Sequence, residues 1–384
     1  MTMNKNQKRK TVGIFSLASF LNDMGSDMIY PIWPLFVTTF LSANMAVLGF
    51  VDGLSDALVS ISQAISGYVS DRIKKRKIFI WLGYLFGSLS RVGYAFSTAW
   101  QHIVPFRILD RAGKIRSAPR DAIIANLSTR KDRGKNFGIL RTMDNLGAVV
   151  GILITIFFFS FLGYKKLFLL AAVPSLIAVL LVFFFIKERK KEEKNKIYKG
   201  LSFKNLSKNL KIFFVLSAIF ALGSFSYSFL LIYAKMFGFK ITFIPVLYLI
   251  FTAVAALFSL PFGRLSDSIG RKKVLFLSFF FWILVCISFI FVKNYFLMIF
   301  GFVLYGLHKG ALEPVQKTFV AELSPKQYRA STLGGFQMVI GLVALPSSLI
   351  AGILWDRINM IIPLYFSLFL TLLSMIILVF VKEK

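Results

Sequence analysis

Two pairs of aspartates, Asp23 with Asp27 and Asp52 with Asp56, stand in apolar stretches of this 384-residue chain. A spacing of four puts each pair on one helical face. Carboxylates in such surroundings must face water or a partner, and two chemistries fit them. As static partners they hold arginines. As proton carriers they titrate, because desolvation raises a carboxyl pKa towards physiological pH. Asp27 is the first expectation for the carrier, with Asn22 and Tyr30 beside the pair as polar lining. The matching positive charge lies further on, in Arg107, Asp110, Arg111, Lys114, Arg116, Arg120 and Asp121. Arg107, Arg111 and Lys114 share a face, and Asp110 is expected to pair with Lys114. Such a helix must line water or meet the acidic segments. Asp144, next to Asn145, extends the polar lining.

The second half carries less charge: Tyr227, Tyr305, His308, Lys309, Glu313 and Lys317 are its chemistry-bearing residues. Lys309, Glu313 and Lys317 have the spacing of an ion-pair ladder. Glu313 and His308 are the half's proton-coupling candidates, although such a histidine is more often a hydrogen-bonding residue.

The elements that position these groups follow from composition. The chain is 57% apolar and 16% charged, which describes a polytopic all-α membrane protein. At about 20 residues per crossing, twelve spans fit: 12–41, 44–69, 78–98, 101–125, 137–160, 164–186, 209–235, 242–265, 274–292, 295–321, 331–354 and 358–381. Pro31 and Pro34 are expected to kink the first. The charge of +29 does not indicate nucleic acid, because Lys and Arg collect in alternate loops. That bias predicts both termini in the cytoplasm and a basic face for anionic lipid. The N-terminal apolar run continues without a small-residue cleavage site and reads as an uncleaved span. Residues 1–186 and 209–384 form two six-helix halves, joined by a basic linker over 187–208. A single cysteine, Cys286, excludes a disulfide framework within the chain.

The halves repeat. Gly67-Tyr68-Val69-Ser70-Asp71-Arg72-Ile73-Lys74-Lys75-Arg76-Lys77 recurs as Gly263-Arg264-Leu265-Ser266-Asp267-Ser268-Ile269-Gly270-Arg271-Lys272-Lys273, with 263 − 67 = 196 and 267 − 71 = 196. Ala125-Asn126-Leu127-Ser128 recurs at the same interval as Ala321-Glu322-Leu323-Ser324. The doubled loop resembles the signature G-x-x-x-D-R-x-G-R-K of the major facilitator superfamily. The first copy departs from it at Lys74, the second at Ser268.

This resemblance implies a secondary transporter working by alternating access, its site between the halves. It implies a cytoplasmic gate built on Gly67, Asp71, Arg72, Arg76, Gly263, Asp267, Gly270 and Arg271. Arg116, Arg120 and Asp121 lie near enough to that side to join Asp71 and Arg141 in the network. Arg107 or Arg111 matches the family's functional arginine in the fourth span. The string from Asp110 through Arg116 to Asp121 is similar to a bacterial and archaeal subgroup of the superfamily. Gly138, Gly147 and Gly151 resemble its antiporter signature, with Ile152 and Thr155 replacing the final proline and glycine. Small residues at this spacing also serve close helix packing.

The expectation is therefore a monomeric transporter of the cytoplasmic membrane, without cofactor. It moves a small organic solute, proton-coupled, with export the favoured direction. The alternative is uptake or facilitated transport of an organic anion, coupled to protons or sodium. No G-x-x-x-x-G-K-[ST] signature offers ATP as the energy source. An intramembrane enzyme lacks a nucleophile or metal motif, with only His102 and His308 present and no H-E-x-x-H or G-x-S-x-G. A non-transporting sensor or scaffold would leave the buried charges without a purpose.

Overall fold

A computed structural model describes residues 5–73, 75–128, 133–186, 206–324 and 329–383, apart from the side chains of 5, 71, 133–135 and 329–331. The Asp71 side chain and Lys74 of the first loop, and the linker as far as residue 205, lie outside that description. The regular secondary structure of the described residues is all helical, with no strand among them. Spans one to three are α1 (Lys5–Asp27) with its continuation α2 (Trp33–Leu35), α3 (Met45–Ile73) and α4 (Lys77–Phe96). The fourth is α5 (Trp100–Ala112), a 3-10 turn (Gly113–Arg116) and α6 (Ser117–Leu127). α7 (Arg133–Phe185) holds the fifth and sixth, which meet at Gly163 with φ 62°. Only glycine takes that left-handed backbone without strain.

The second set comprises α8 (Lys208–Gly223) with α9 (Tyr227–Phe237), α10 (Ile244–Ile269), α11 (Arg271–Ile290), α12 (Tyr295–Leu323), α13 (Arg329–Arg357) and α14 (Ile362–Val379). Eight helical stretches among the described residues are long and apolar enough to cross a membrane, the two arms of α7 counting as one. The crossings built on α1, α4 and α5–α6 complete the twelve. Charges such as Lys8, Arg9, Arg91 and Arg107 lower their hydropathy.

Two spans are broken partway. The first leaves the helix over 28–32 and resumes with Pro34 in the first turn of α2, where a missing N–H costs nothing. The seventh, expected as one helix, is interrupted between Gly223 and Tyr227. There the Ser226 hydroxyl accepts from the Ser228 amide at 3.2 Å. A serine that can cap a new helix competes with continuation of the old one, a local signal that apolar content masks.

The chain forms two compact units, 1–43 with 58–195, and 44–57 with 196–384. Residues 44–57, assigned to the first half by sequence, thus belong to the second unit. Glycines explain this: a Cβ on Gly49 would lie 2.0 Å from the Ser348 carbonyl oxygen, and one on Gly53 would lie 2.6 Å from Leu345 Cα. The Asp356 carboxylate accepts from the amides of Met45 at 3.1 Å and Ala46 at 2.7 Å. It thereby satisfies the start of α3.

In the first unit, Phe15, Ala18, Ile80, Tyr84, Ile124, Leu140, Ala178 and Val182 form a closed core from α1, α4, α6 and both arms of α7. In lipid, apolar burial does not by itself drive such packing; close backbone approach and polar contacts do. Gly147 and Gly151 supply the approach. A Cβ on either would stand 2.2 Å from a carbonyl oxygen of α1, that of Phe20 or Met24. Thr155 then donates to the Met28 carbonyl at 2.7 Å. Gly147 and Gly151 thus serve close helix packing. Gly147→Ala is expected to destabilise the purified protein by about 1–3 kcal/mol. Gly138→Ala, with nothing within 4 Å of its Cβ, is expected to be neutral or slightly stabilising. Thermal unfolding in detergent checks both, and equal midpoints would refute the packing role.

The sequence repeat extends to single hydrogen bonds. In the first unit the Ser70 hydroxyl donates to the Gly67 carbonyl at 3.2 Å, and in the second Ser266 donates to Gly263 at 2.7 Å. Ser128 and Ser324 each end a helix in extended conformation and donate to the carbonyl four residues back, Ile124 and Val320.

Candidate functional site

The fourth span owes its shape to two glycines. A Cβ on Gly83 would lie 2.5 Å from the Gly113 carbonyl oxygen, and one on Gly113 would lie 2.7 Å from that of Gly83. The chain tightens there into the 3-10 turn, which advances three residues per turn instead of 3.6 and so re-aims every later side chain. Above the turn, the Arg107 guanidinium lies 4.1 Å from the Trp33 ring centroid and that of Arg111 lies 5.1 Å from Tyr30. Arg111 also donates to the Tyr30 hydroxyl at 3.0 Å. Asp110 pairs with Arg111 at 3.4 Å, not with Lys114 as helical spacing had indicated. The turn carries Lys114 off the shared face.

Lys114 and the residues after it open onto a cavity of about 320 Å³ within the first unit. Its lining comes from Asp23 of α1, Gln63 of α3, Lys114 and Arg116 of the turn, Arg120 and Asp121 of α6, and Arg141 and Asp144 of α7. Arg120 donates to Asp121 at 3.0 Å and to the Ser19 hydroxyl at 2.7 Å. Arg141 pairs with Asp144 at 3.2 Å and lies 3.9 Å from Asp121. Arg116 donates to the Gly113 carbonyl at 2.8 Å and lies over the Tyr84 ring. Asp23 accepts from the Asn22 amide at 2.9 Å. Lys114 makes no hydrogen bond or ion pair among the described residues. Asp144 Oδ1 is buried without a hydrogen-bond partner there. The residues read as gate members, Arg116, Arg120, Asp121 and Arg141, thus meet Asp23, Lys114 and Asp144 around one space.

Sequence reasoning missed Arg91. It is 1% exposed and donates to the carbonyls of Ala171 at 2.8 Å and Asn22 at 3.1 Å. It also donates to the hydroxyls of Ser26 at 2.8 Å and Ser175. Ser175 in turn donates to Asn22 Oδ1 at 3.0 Å. Asn22 therefore belongs to a clamp joining α1, α4 and α7, whose other amide group holds Asp23. A lone arginine amid the apolar residues of 78–98 was the available signal.

In the second unit, Asp52 is buried and accepts from the hydroxyls of Ser226 at 2.7 Å and Ser228 at 2.5 Å. It holds the start of α9. Asp56 is exposed and Asp27, at the end of α1, is half-buried. His308 is fully buried beside Phe220, Trp282 and Tyr305, its Nδ1 within 3.0 Å of the Ser278 hydroxyl. Lys309 stands over the Tyr305 ring at 5.7 Å, and the expected ladder with Glu313 and Lys317 does not close among the described residues. Glu313 is exposed. Tyr227 packs its ring on Tyr248 and Phe251.

The second loop is closed by its own charges. Arg271 pairs with Asp267 at 2.5 Å and Glu322 at 3.0 Å. Gly270, at φ 103°, separates α10 from α11, whose first amides donate to Glu383. In the first loop, a Cβ on Gly67 would lie 3.5 Å from that of Ala118; Arg72 is exposed and Arg76 half-buried.

Twelve membrane-length crossings in two units, with charged groups gathered at helix breaks inside the first, define a multi-pass membrane transporter fold. Known proteins make the class specific. The Major Facilitator Superfamily family model matches residues 15–251 and 212–384. An uncharacterized MFS-type transporter of Methanocaldococcus jannaschii is 38% identical over 387 aligned positions, covering 98% of this chain and 96% of that protein. Citrate exporter 1 of Aspergillus niger is 24% identical over 167 positions, covering 43% of this chain and 31% of that protein. The crystal structure of the nucleoside transporter NupG superposes with a TM-score of 0.80 at 18% identity, covering 97% of this chain and all of that one. The chain belongs to the major facilitator superfamily, a family of transporters and not of enzymes.

Proposed function

We propose that this protein is a proton-coupled secondary transporter of a small organic solute, located in the cytoplasmic membrane with both termini inside. The observation that carries the reading is the polar cavity of the first unit, where three carboxylates and four cations face one space. A buried carboxylate oxygen that makes no well-formed hydrogen bond among the described residues, as at Asp144, gains a bond from a proton or from a solute's own donor. Either event changes the balance against Arg141 and Arg120. Loading and protonation are then linked through the same charges. Arg107 and Arg111 are held on aromatic rings and serve to fix the outer part of the first span. Asp52 and His308, each enclosed and hydrogen-bonded, serve structure.

Export is the favoured direction, supported by partial similarity to a relative named as an exporter. The basic faces of the loops meet anionic lipid, and the working unit is a monomer.

The test is proton movement in proteoliposomes under an imposed pH gradient, with pools of organic acids, nucleosides and amphipathic cations added in turn. One pool is expected to drive proton flux above solute-free controls. Labelled solute crossing without any proton movement would overturn coupling.

A further inference from the structure

We propose that the cavity of the first unit binds a small monoanionic hydroxycarboxylate, its carboxylate against Lys114 and Arg116 and its hydroxyls towards Asp23 and Asp144. This rests on the reading of the chain as a solute transporter and names the substrate class.

The lining sorts by what is already engaged. Arg120 with Asp121 and Arg141 with Asp144 form two ion pairs that neutralise each other. Three charges remain. Among the described residues Lys114 has no ion-pair partner, and Arg116 has only the Gly113 carbonyl and the Tyr84 ring. Asp23 has only the Asn22 amide among the described residues. Among the described side chains of the lining, two cations and one carboxylate leave a net charge of +1, which one anionic group balances.

Hydrogen bonding narrows the class further. Lys and Arg are donors only, so the solute's acceptor belongs on their side. Asp23 and Asp144 Oδ1 are acceptors, and the second is buried near the Ser19 hydroxyl with no hydrogen bond of good geometry among the described residues. A donor on the solute must meet them, because an unmet buried acceptor costs free energy. A plain fatty acid offers no donor, and a sugar or polyol no charge. At roughly 30 Å³ per water-sized group, the 320 Å³ cavity holds on the order of ten such groups. That accommodates a three- to six-carbon acid.

The test is equilibrium dialysis of the purified full chain in detergent, without a gradient, using four labelled probes. Glycerate carries both features; propionate lacks the hydroxyls, glycerol lacks the carboxylate, and serine replaces the monoanion by a zwitterion. Glycerate is expected to bind saturably, with the other three at least about tenfold weaker. Lys114→Gln is expected to weaken glycerate at least about tenfold, and Lys293→Gln, at an exposed loop position, to leave it unchanged. Propionate or serine equal to glycerate overturns the assignment, as does absence of glycerate binding. Proton flux driven by some other solute in liposomes of the same preparation would then leave the transporter reading intact. Wild-type probe ranking decides the matter even if the lysine variant fails to fold.

Discussion

Asp144→Asn is expected to lower solute-dependent proton flux by roughly 5- to 150-fold, the range of a coupling free energy of about 1–3 kcal/mol between two ligands. The substitution is nearly isosteric and keeps an acceptor for Arg141, so gradient-free exchange of solute should persist, with weaker binding because the amide nitrogen then stands in the place of Oδ1. Its position makes the effect large. Asp144 lies eleven residues into α7, roughly 16 Å along the helix. It is 9% exposed and faces Asp23 of α1, Arg120 and Asp121 of α6 and Arg141 of its own helix across one cavity. Any proton gained there alters an ion pair that also lines the solute's space. Asp27→Asn is the comparison, since the chain's spacing singled out Asp27. That residue ends α1 and does not line the cavity. Its substitution should leave the flux within about twofold of wild type, well inside the coupling range. Full flux in Asp144→Asn would remove it as a carrier. Loss in Asp27→Asn alone would move the carrier to the end of α1.

Arg91→Met is expected to destabilise the protein by about 3–5 kcal/mol, the usual cost of removing one side of a buried charged network. Four groups lose their donor together: the carbonyls of Ala171 and Asn22 and the hydroxyls of Ser26 and Ser175. Bonds to a charged donor are worth about 1.5–3 kcal/mol each, so even after the gain from relieving arginine desolvation the loss dominates. The thermal midpoint in detergent should fall by roughly 6–12 °C. Arg91→Lys should fall between the two, because one ammonium cannot span from α7 to α1 as the planar fork does. A midpoint within about 2 °C of wild type for Arg91→Met would mean that desolvation cancels the bonds. A second readout comes from Asn22, which links the clamp to Asp23. Loosening it should reduce solute binding in whatever folded protein remains.

Much of this architecture is legible in the chain alone. Span length, the placement of Lys and Arg and the interval of 263 − 67 = 196 residues all depend on local composition, which a bilayer reads residue by residue. The charged fourth span and the acidic first span also announced themselves, because charge in an apolar run needs a reason. Their partners did not. Helical spacing joined Asp110 to Lys114, but the contact of Gly83 with Gly113 tightens the turn between them and delivers Asp110 to Arg111. Spacing likewise made Asp52 a sibling of Asp23. Tertiary packing separated them, placing Asp52 under the serines of α9 and Asp23 in the cavity. Arg91 went unnoticed because its four partners come from α1 and α7, distant in sequence and ordinary in type. Composition and periodicity determine which groups a membrane helix carries. Which of them converge depends on helix breaks and close backbone contacts, and those are settled only when the helices pack.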